Sequence, residues 1–422
     1  MKFTKETFSN GLRVLTVPQA ETKAMTLLFL VGAGSRYETP AESGISHFLE
    51  HILFKGTEKY PNPQILAQTL DGIGANFNAY TGQEYTGFYI EAAATHFPLA
   101  LDVLHEMFYH PRYAHEDIER EKGVIVEEIN MYRDLPQRHV YELLFSTIFG
   151  DVPMGWNIAG DKKTVNSFTK KNFEDYQTKF YTPDNIIVAV GGNEAEYDWL
   201  GSIKKLLGSK KGKLDHNFTG VMINQGRPKI VVEQRQTDQT HLAIGLPSLP
   251  ETDSRQPVLD ILNIILGGSM SSRLFIEVRE KRGLAYYVRS ANENFHDTGV
   301  FSVATGVRNS HAKEALKIIL EQLDLIRSKP VENDELKRAK EFYKGKMALT
   351  LEGSQEVTSF YTQQELYYGH QITLAELEKK VEAVTKDDIQ NLATELFVGD
   401  RLNLAAIGPF TEEDFCSILE RY

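Results

Sequence analysis

The chain contains two related halves, and this internal repeat constrains its fold more than any other feature. Four strand, helix and cap signals recur in the same order, at offsets of 212 to 218 residues. They are the strand-like segments 86–89 and 298–301, the apolar helical patterns that follow each of them, the helix N-cap residues Thr169 and Thr385, and the strand-like segments 185–191 and 403–408. A nearly constant offset favours a duplicated domain over the turns and caps that any two α/β segments share.

Each half predicts an α+β domain, with short strands, a helix, more strands, several helices and a last strand. The alternating run 13–17 predicts a half-buried sheet with helices packed against it. The polar stretch 211–226, rich in lysine and glycine, predicts a linker. We therefore predict a domain at 1–210, the linker 211–226 and a homologous domain at 227–422, each a mainly antiparallel sheet packed with helices.

Composition indicates a soluble protein without a nucleic-acid or membrane partner. The formal net charge of −12 argues against nucleic-acid binding. Cys416 is the only cysteine, so no intrachain disulfide forms and a reducing compartment is favoured. The N-terminus lacks an apolar signal core, and the apolar run from Met25 to Val31 is too short to span a bilayer. We expect a cytoplasmic protein.

One helix of the first half carries three polar groups on a single stripe. Its apolar face comprises Ile45, Phe48, Leu49, Ile52 and Leu53. His47, Glu50 and His51 lie on the opposite side, where histidines four residues apart can bind one Zn²⁺ and the glutamate can take a proton from bound water. This H-x-x-E-H order is the inverzincin signature. The alternative is a solvated helix face that carries two histidines by chance.

The second half keeps the apolar helix but lacks the metal ligands. At an offset of 212 residues, Leu259 and Asn263 stand in place of the two histidines. We therefore expect that only the first half is built to bind a metal, while the second half has the same frame and another task.

A third metal ligand is expected in the charged helical stretch 119–129, because a catalytic zinc needs three protein ligands and an open position. Glu121 and Glu128 are two turns apart and share a face with Ile125. Helix geometry alone leaves Glu127 as a competitor of Glu128, and most acids in so charged a helix are solvated.

The chain resembles the pitrilysin and insulin-degrading-enzyme family of inverzincin metallopeptidases, on the branch of the mitochondrial and bacterial processing peptidases, across both halves. In that family the third ligand is a glutamate about 77 positions beyond the second histidine, which selects Glu128. A supporting acid seven residues earlier corresponds to Glu121. The resemblance implies one Zn²⁺ per chain, bound by His47, His51 and Glu128, with Glu50 as the general base that acts on zinc-bound water.

A second family motif lies in the run 271–286. The family has an arginine and a tyrosine seven residues apart in its second half, which complete the active site, and Arg279 and Tyr286 match them. A tyrosine hydroxyl can donate to a tetrahedral oxyanion, and an arginine can hold substrate carbonyls. The resemblance therefore implies catalytic and substrate-binding roles for both residues, although such a pair on its own is usually structural.

A third matching stretch, 74–81, reads as an edge strand. In the family such a strand pairs with extended substrate by β-augmentation, which implies substrate contacts through the backbone of Asn78 and Ala79. The alternative is an ordinary sheet strand. At the place of the long glycine-rich loop of the mitochondrial non-catalytic subunit, this chain has only 267–270, which favours a bacterial peptidase of broader specificity.

The resemblance implies a zinc-dependent endopeptidase that hydrolyses peptides or unfolded segments. Four such domains enclose a chamber in the family, and this chain supplies two, as one half of a clamshell. We therefore expect a homodimer in which the zinc of one copy faces Arg279 and Tyr286 of the other. Two alternatives remain: a non-catalytic scaffold, like the core subunits of respiratory complexes that share the fold, and one partner of a heterodimeric peptidase.

Overall fold

The computed structural model describes residues 3–194, 197–420 and 422, and they form two compact units. Unit 1 comprises Met1–Asn130, Trp156–Thr219 and Leu349–Gln371, and unit 2 comprises Met131–Gly155, Gly220–Ala348 and Ile372–Tyr422. Each unit thus includes one segment from the other half of the sequence. The boundaries predicted above describe the sequence repeat and stay a prediction.

The secondary structure mixes helices and strands along the whole described chain. The strands are β1 (Thr4–Thr7), β2 (Arg13–Pro18), β3 (Ala24–Val31), β4 (Asn76–Thr81), β5 (Thr86–Ala93), β6 (Ile186–Gly192), β7 (Lys229–Gln234), β8 (Gln239–Ser248), β9 (Ala285–Asn294), β10 (Gly299–Arg308) and β11 (Asn403–Gly408). The helices are α1 (Ile45–Ile52), α2 (Pro63–Asp71), α3 (Phe97–Tyr109), α4 (His115–Arg133), α5 (Pro136–Phe149), α6 (Lys162–Ser167), α7 (Lys170–Phe180), α8 (Trp199–Leu207), α9 (Gln256–Leu266), α10 (Ala312–Ser328), α11 (Asn333–Thr350), α12 (Ser354–Tyr368), α13 (Leu374–Ala383), α14 (Lys386–Leu396) and α15 (Glu413–Leu419). Within the described ranges, none of these helices has the length and apolar character needed to cross a membrane.

The two units contain sheets of the same topology, which confirms the predicted α+β fold with a duplicated frame. The strand order is β1-β2-β6-β3-β5-β4 in unit 1 and β7-β11-β8-β10-β9 in unit 2. With β1 set aside, the orders correspond strand by strand, and the single parallel pair falls at the same place in both, β2 with β6 and β7 with β11. The repeated segments of the sequence form β5 and β10, and β6 and β11.

Both faces of the central strands are covered, so the expectation of a half-buried sheet at 13–17 is wrong. Val14 packs in the main core of unit 1 with α1 and α3, while Leu15 packs on the other face, where Leu366 of α12 lies against the cluster. In unit 2 the second face is covered by α5. Strands buried on both faces lose the apolar and polar alternation, as in sheets that carry helices on two sides.

Candidate metal centre

Helix α1 turns its polar stripe away from the core of unit 1. Ile45, Phe48, Leu49 and Ile52 are buried, as the periodicity predicts. The helix begins after Gly44, whose φ of +93° is left-handed and whose absent side chain leaves room for the backbone of Ala159 and Gly160. This packing fixes the direction in which His47, Glu50 and His51 project.

A buried carboxylate caps the start of α1. Glu38 accepts the backbone N–H of Gly44 at 2.7 Å and that of Ser46 at 2.9 Å. The first N–H groups of a helix have no partner within the helix, so such acceptors stabilise its first turn. Burial raises the pKa of Glu38 to about 8, against the opposing effect of the two N–H donors. Glu38 therefore helps to hold the helix that carries the H-x-x-E-H residues.

The structure brings His47, His51 and Glu128 together. Each offers a ligand atom, and the three atoms lie within 4.8 Å of one another. The Nε2 atoms of His47 and His51 are 3.6 and 3.4 Å from Oε2 of Glu128. Two ligands bound tetrahedrally to Zn²⁺ at about 2.0–2.1 Å are about 3.4 Å apart. The donor set and its spacing therefore fit a zinc ion with little movement of the side chains.

His47 is held as a neutral imidazole. Its side chain is 12% exposed, and burial, helped by the neighbouring His51, lowers its pKa to about 4. Its Nδ1 is buried without a hydrogen-bond partner in the part of the chain that the structure describes, and Nε2 faces Glu128. A neutral ring has a lone pair available for a metal at neutral pH.

His51 is oriented by Glu121, which is almost fully buried. Nδ1 of His51 donates to Oε1 of Glu121 at 2.8 Å, and Nζ of Lys55 lies 2.8 Å from the other oxygen. Burial raises the pKa of Glu121, but the hydrogen bonds from His51 and Lys55 outweigh it and lower the pKa below its ordinary value. With Nδ1 engaged, Nε2 of His51 points to Glu128, an arrangement typical of metal-binding histidines.

Helix α4 separates the two glutamates between which helix geometry could not decide. Glu127 is exposed, and its Oε1 accepts from Asn130 at 3.4 Å. Glu128 lies on the same face as Glu121 and the fully buried Ile125, with its side chain 19% exposed. The structure thus brings Glu128, and not Glu127, to the two histidines.

Glu50 lies beside the ligands and contacts the edge of the sheet. Its Oε2 accepts a hydrogen bond from Oγ1 of Thr81, the last residue of β4, at 2.6 Å. Burial raises the pKa of Glu50, while the Thr81 hydroxyl and the nearby His51 act in the opposite direction. The contact with Thr81 holds the carboxylate between α1 and β4.

Strand β4 is the edge strand that the sequence predicts. It pairs with β5 alone within the six-stranded sheet, and Asn78 and Ala79 stand opposite Tyr89 and Phe88. The backbone N–H of Ala79 donates to the side-chain Oδ1 of Asn78 at 2.9 Å. The Asn78 side chain therefore engages a backbone group of the edge strand itself.

Arg279 and Tyr286 lie next to each other in unit 2. Arg279 belongs to a π-helical segment, Phe275–Glu280, a geometry that is frequent at functional sites. Its Nη1 donates to the backbone oxygen of Tyr286 at 2.8 Å, and its guanidinium lies 5.2 Å from the centre of the Tyr286 ring. Tyr286 is 79% exposed, so the residue is accessible to a ligand.

Three residues around the centre were not predicted from the sequence. Lys55 follows His51 by four positions, and this spacing within a helical stretch could have indicated it. Glu38 reaches α1 from a preceding loop, and Thr81 reaches Glu50 from β4. Contacts between separate elements leave no periodic pattern in the sequence.

The structure thus combines a duplicated α+β fold with a His-His-Glu cluster in its first half. Residues 13–162 match the insulinase family, peptidase family M16, and residues 167–343 match the peptidase M16 inactive domain. The chain is 35% identical over 403 residues to YmxG of Bacillus subtilis, described as an uncharacterized zinc protease, covering 96% of this chain and 97% of that protein. The chain belongs to peptidase family M16, which confirms the predicted resemblance.

Further comparisons agree with this assignment. An uncharacterized zinc protease of Streptomyces coelicolor is 34% identical over 423 residues, covering 97% of this chain and 90% of that protein. The crystal structure of a protease from Helicobacter pylori has the same fold, with a TM-score of 0.91 at 24% identity over 97% of this chain and 99% of that one. Leu259 and Asn263, which replace the histidines, fall in the range that matches the inactive domain. The names of the relatives support a zinc-dependent protease.

Proposed function

We propose that this protein is a zinc-dependent endopeptidase that cleaves peptides or unfolded polypeptide segments. His47, His51 and Glu128 hold one Zn²⁺ at the candidate centre, and Glu50 is the general base. The observation that carries the proposal is the convergence of the three ligand atoms within 4.8 Å, with Glu50 on the same helix as the two histidines. The zinc-protease names of relatives that match nearly the whole chain support it.

Residues of α1 and of the elements beside it have separate roles in this mechanism. A bound zinc polarises the scissile carbonyl and lowers the pKa of coordinated water towards about 7. The Glu50 carboxylate, which Thr81 holds at Oε2, takes a proton from the attacking water and returns it to the leaving amine. Glu121 and Lys55 keep the ring of His51 in its ligating orientation throughout.

Substrate binding is assigned to two further places. An extended segment adds to the edge of β4 at Asn78 and Ala79 through main-chain hydrogen bonds, and a substrate carbonyl replaces Asn78 Oδ1 as the acceptor of the Ala79 N–H. Arg279 holds a substrate carbonyl, and the exposed hydroxyl of Tyr286 donates to the developing oxyanion. The negative net charge is compatible with basic peptides as substrates.

We further propose a homodimer on the processing-peptidase branch, in which Arg279 and Tyr286 of one copy complete the centre of the other and a chamber encloses the substrate. The support is the family resemblance and the presence of both motifs in one chain. The single cysteine, Cys416, supports a cytoplasmic location.

The variant Glu50→Gln tests the assignment of the base. It should retain the zinc content of the wild type and lose cleavage of a quenched basic peptide by at least about 100-fold, the lower end of general-base effects. Glu127→Gln, an isosteric change at an exposed site of α4, is the control and should leave both unchanged. Near-normal cleavage by Glu50→Gln would show that another group takes the proton, and cleavage that survives complete removal of zinc would exclude the metallopeptidase mechanism.

A further inference from the structure

A second group of potential metal ligands lies in unit 1 and shares no residue with the candidate centre. His105, Glu106 and His110 each offer a ligand atom, and these atoms also lie within 4.8 Å of one another. We propose that this group is a second metal site, specific for Zn²⁺ or a similar transition ion, which joins the end of α3 to the loop 56–60.

The end of helix α3 creates this arrangement. Residues five apart on a continuous helix point in different directions, but α3 ends at Tyr109 and His110 has left the helical conformation, with φ −137° and ψ 36°. Its N–H still donates to the carbonyl of Glu106 at 2.9 Å, which keeps it against the last turn. The rings of His105 and His110 are 5.3 Å apart and inclined at 59°, close to the 4.6 Å and 57° of His47 and His51.

His105 is the buried member of the site, and its environment suits a ligand. It is 8% exposed, and its Nε2 is buried with no hydrogen-bond partner among the described residues. A buried polar atom without a partner is destabilising unless something uses it.

The loop 56–60 supplies the rest of the frame. The N–H of Lys59 donates to Oε2 of Glu106 at 3.3 Å, and Oε1 of Glu106 faces Nδ1 of His105 at 3.9 Å. The N–H of Glu58 donates to the carbonyl of His110 at 3.0 Å, and the exposed Glu58 carboxylate lies 3.9 Å from Nδ1 of His110. The loop thus positions the Glu106 carboxylate and the backbone of His110.

The donor set selects the kind of metal. Two imidazoles and a carboxylate suit zinc and neighbouring transition ions, whereas calcium and magnesium prefer oxygen ligands alone. The amine of Lys210, 4.1 Å from the ring centre of Tyr109, opposes a cation because it acts electrostatically on both His105 and Glu106. We therefore expect weaker binding than at the candidate centre, with tighter binding in Lys210→Met.

Zinc stoichiometry in paired variants tests the proposal without reference to catalysis. The double variant His47→Gln/His51→Gln lacks two ligands of the candidate centre, so failure of the proposed function leaves its result interpretable. After chelator treatment and dialysis against micromolar zinc, it should bind about one Zn²⁺ per chain and melt at a higher temperature with zinc than without. Adding His110→Gln should abolish both effects, whereas adding His115→Gln, at an exposed histidine of α4, should change neither.

Two results would overturn the second site. One is the absence of bound zinc from His47→Gln/His51→Gln after dialysis against micromolar zinc. The other is retention of that zinc after His110→Gln is added. His110 is chosen for substitution because it is only half-buried, so its loss leaves the packing around His105 in place.

Discussion

Helices α1 and α9 occupy corresponding positions in the two units but carry different side chains at the two positions held by histidine in α1. In α1, His47 and His51 face the acids of α4. In α9, Leu259 is fully buried and Oδ1 of Asn263 accepts a hydrogen bond from Ser290 of β9 at 2.5 Å. The fold therefore does not require a metal at this position.

The largest effect is expected when the two histidines of α1 are replaced by the residues that stand at the corresponding positions of α9. The variant His47→Leu/His51→Asn should fold, contain about one zinc per chain fewer than the wild type and cleave no peptide, because one carboxylate cannot hold the ion alone. Circular dichroism, metal analysis and a peptide assay measure the three properties. Cleavage by this variant at the rate of the wild type would show that His47 and His51 are not needed for catalysis.

A smaller effect is expected at the residue that orients His51. Replacing Glu121 by Gln keeps the shape of the side chain but removes the charge that the ring and Lys55 share. Loss of such a supporting carboxylate lowers metal affinity by about 10- to 100-fold. Competition with a chromogenic zinc chelator measures the affinity, with Glu119→Gln, at a solvent-exposed site of α4, as the control. Unchanged affinity in Glu121→Gln would leave Glu121 as a packing residue only.

In unit 2, His139 is expected to make the stability of the protein depend on pH. His139 of α5 lies between Glu142 and Glu233 of unit 2, at 2.8 and 2.9 Å, and these hydrogen bonds, that to Glu142 first, raise its pKa. A group whose pKa is raised by folding stabilises the folded protein. This stabilisation is complete at pH values below the pKa of the unfolded state, about 6.5 for histidine, and is lost as the pH rises through the pKa of the folded state.

Urea unfolding of the zinc-free protein at pH 6 and pH 8 tests this expectation. The free energy of unfolding should decrease between pH 6 and pH 8 by more in the wild type than in His139→Gln. The glutamine keeps hydrogen bonding but cannot be protonated. An equal decrease in both proteins would show that His139 does not contribute to the pH dependence.

The sequence predicts those parts of the fold and site that repeat or follow a period. The repeat identified the matching strands β5 and β10 and the matching helices α1 and α9, and helical spacing placed Glu121, Ile125 and Glu128 on one face. The burial of both faces at β2 was missed, because it depends on α12, a helix more than 300 residues away in the chain. Glu38 was missed for the same reason, since its role comes from a loop that folds back on α1.

Local sequence pattern cannot distinguish Glu127 from Glu128. Both fit a helix, and only the direction in which α4 faces α1 separates an exposed acid from one beside two histidines. The family spacing supplied that information before the structure did. Tertiary contacts decide which of two adjacent acids lies beside the two histidines.

A His-His-Glu zinc centre in unit 1 is tested by comparing Glu128→Gln with Glu127→Gln in the same preparations, with zinc per chain and cleavage of a quenched basic peptide as the measurements. We predict that Glu127→Gln matches the wild type, while Glu128→Gln contains about one zinc fewer and has no measurable cleavage. Wild-type zinc content and cleavage in Glu128→Gln would contradict a His-His-Glu centre in unit 1 as the site of peptide hydrolysis.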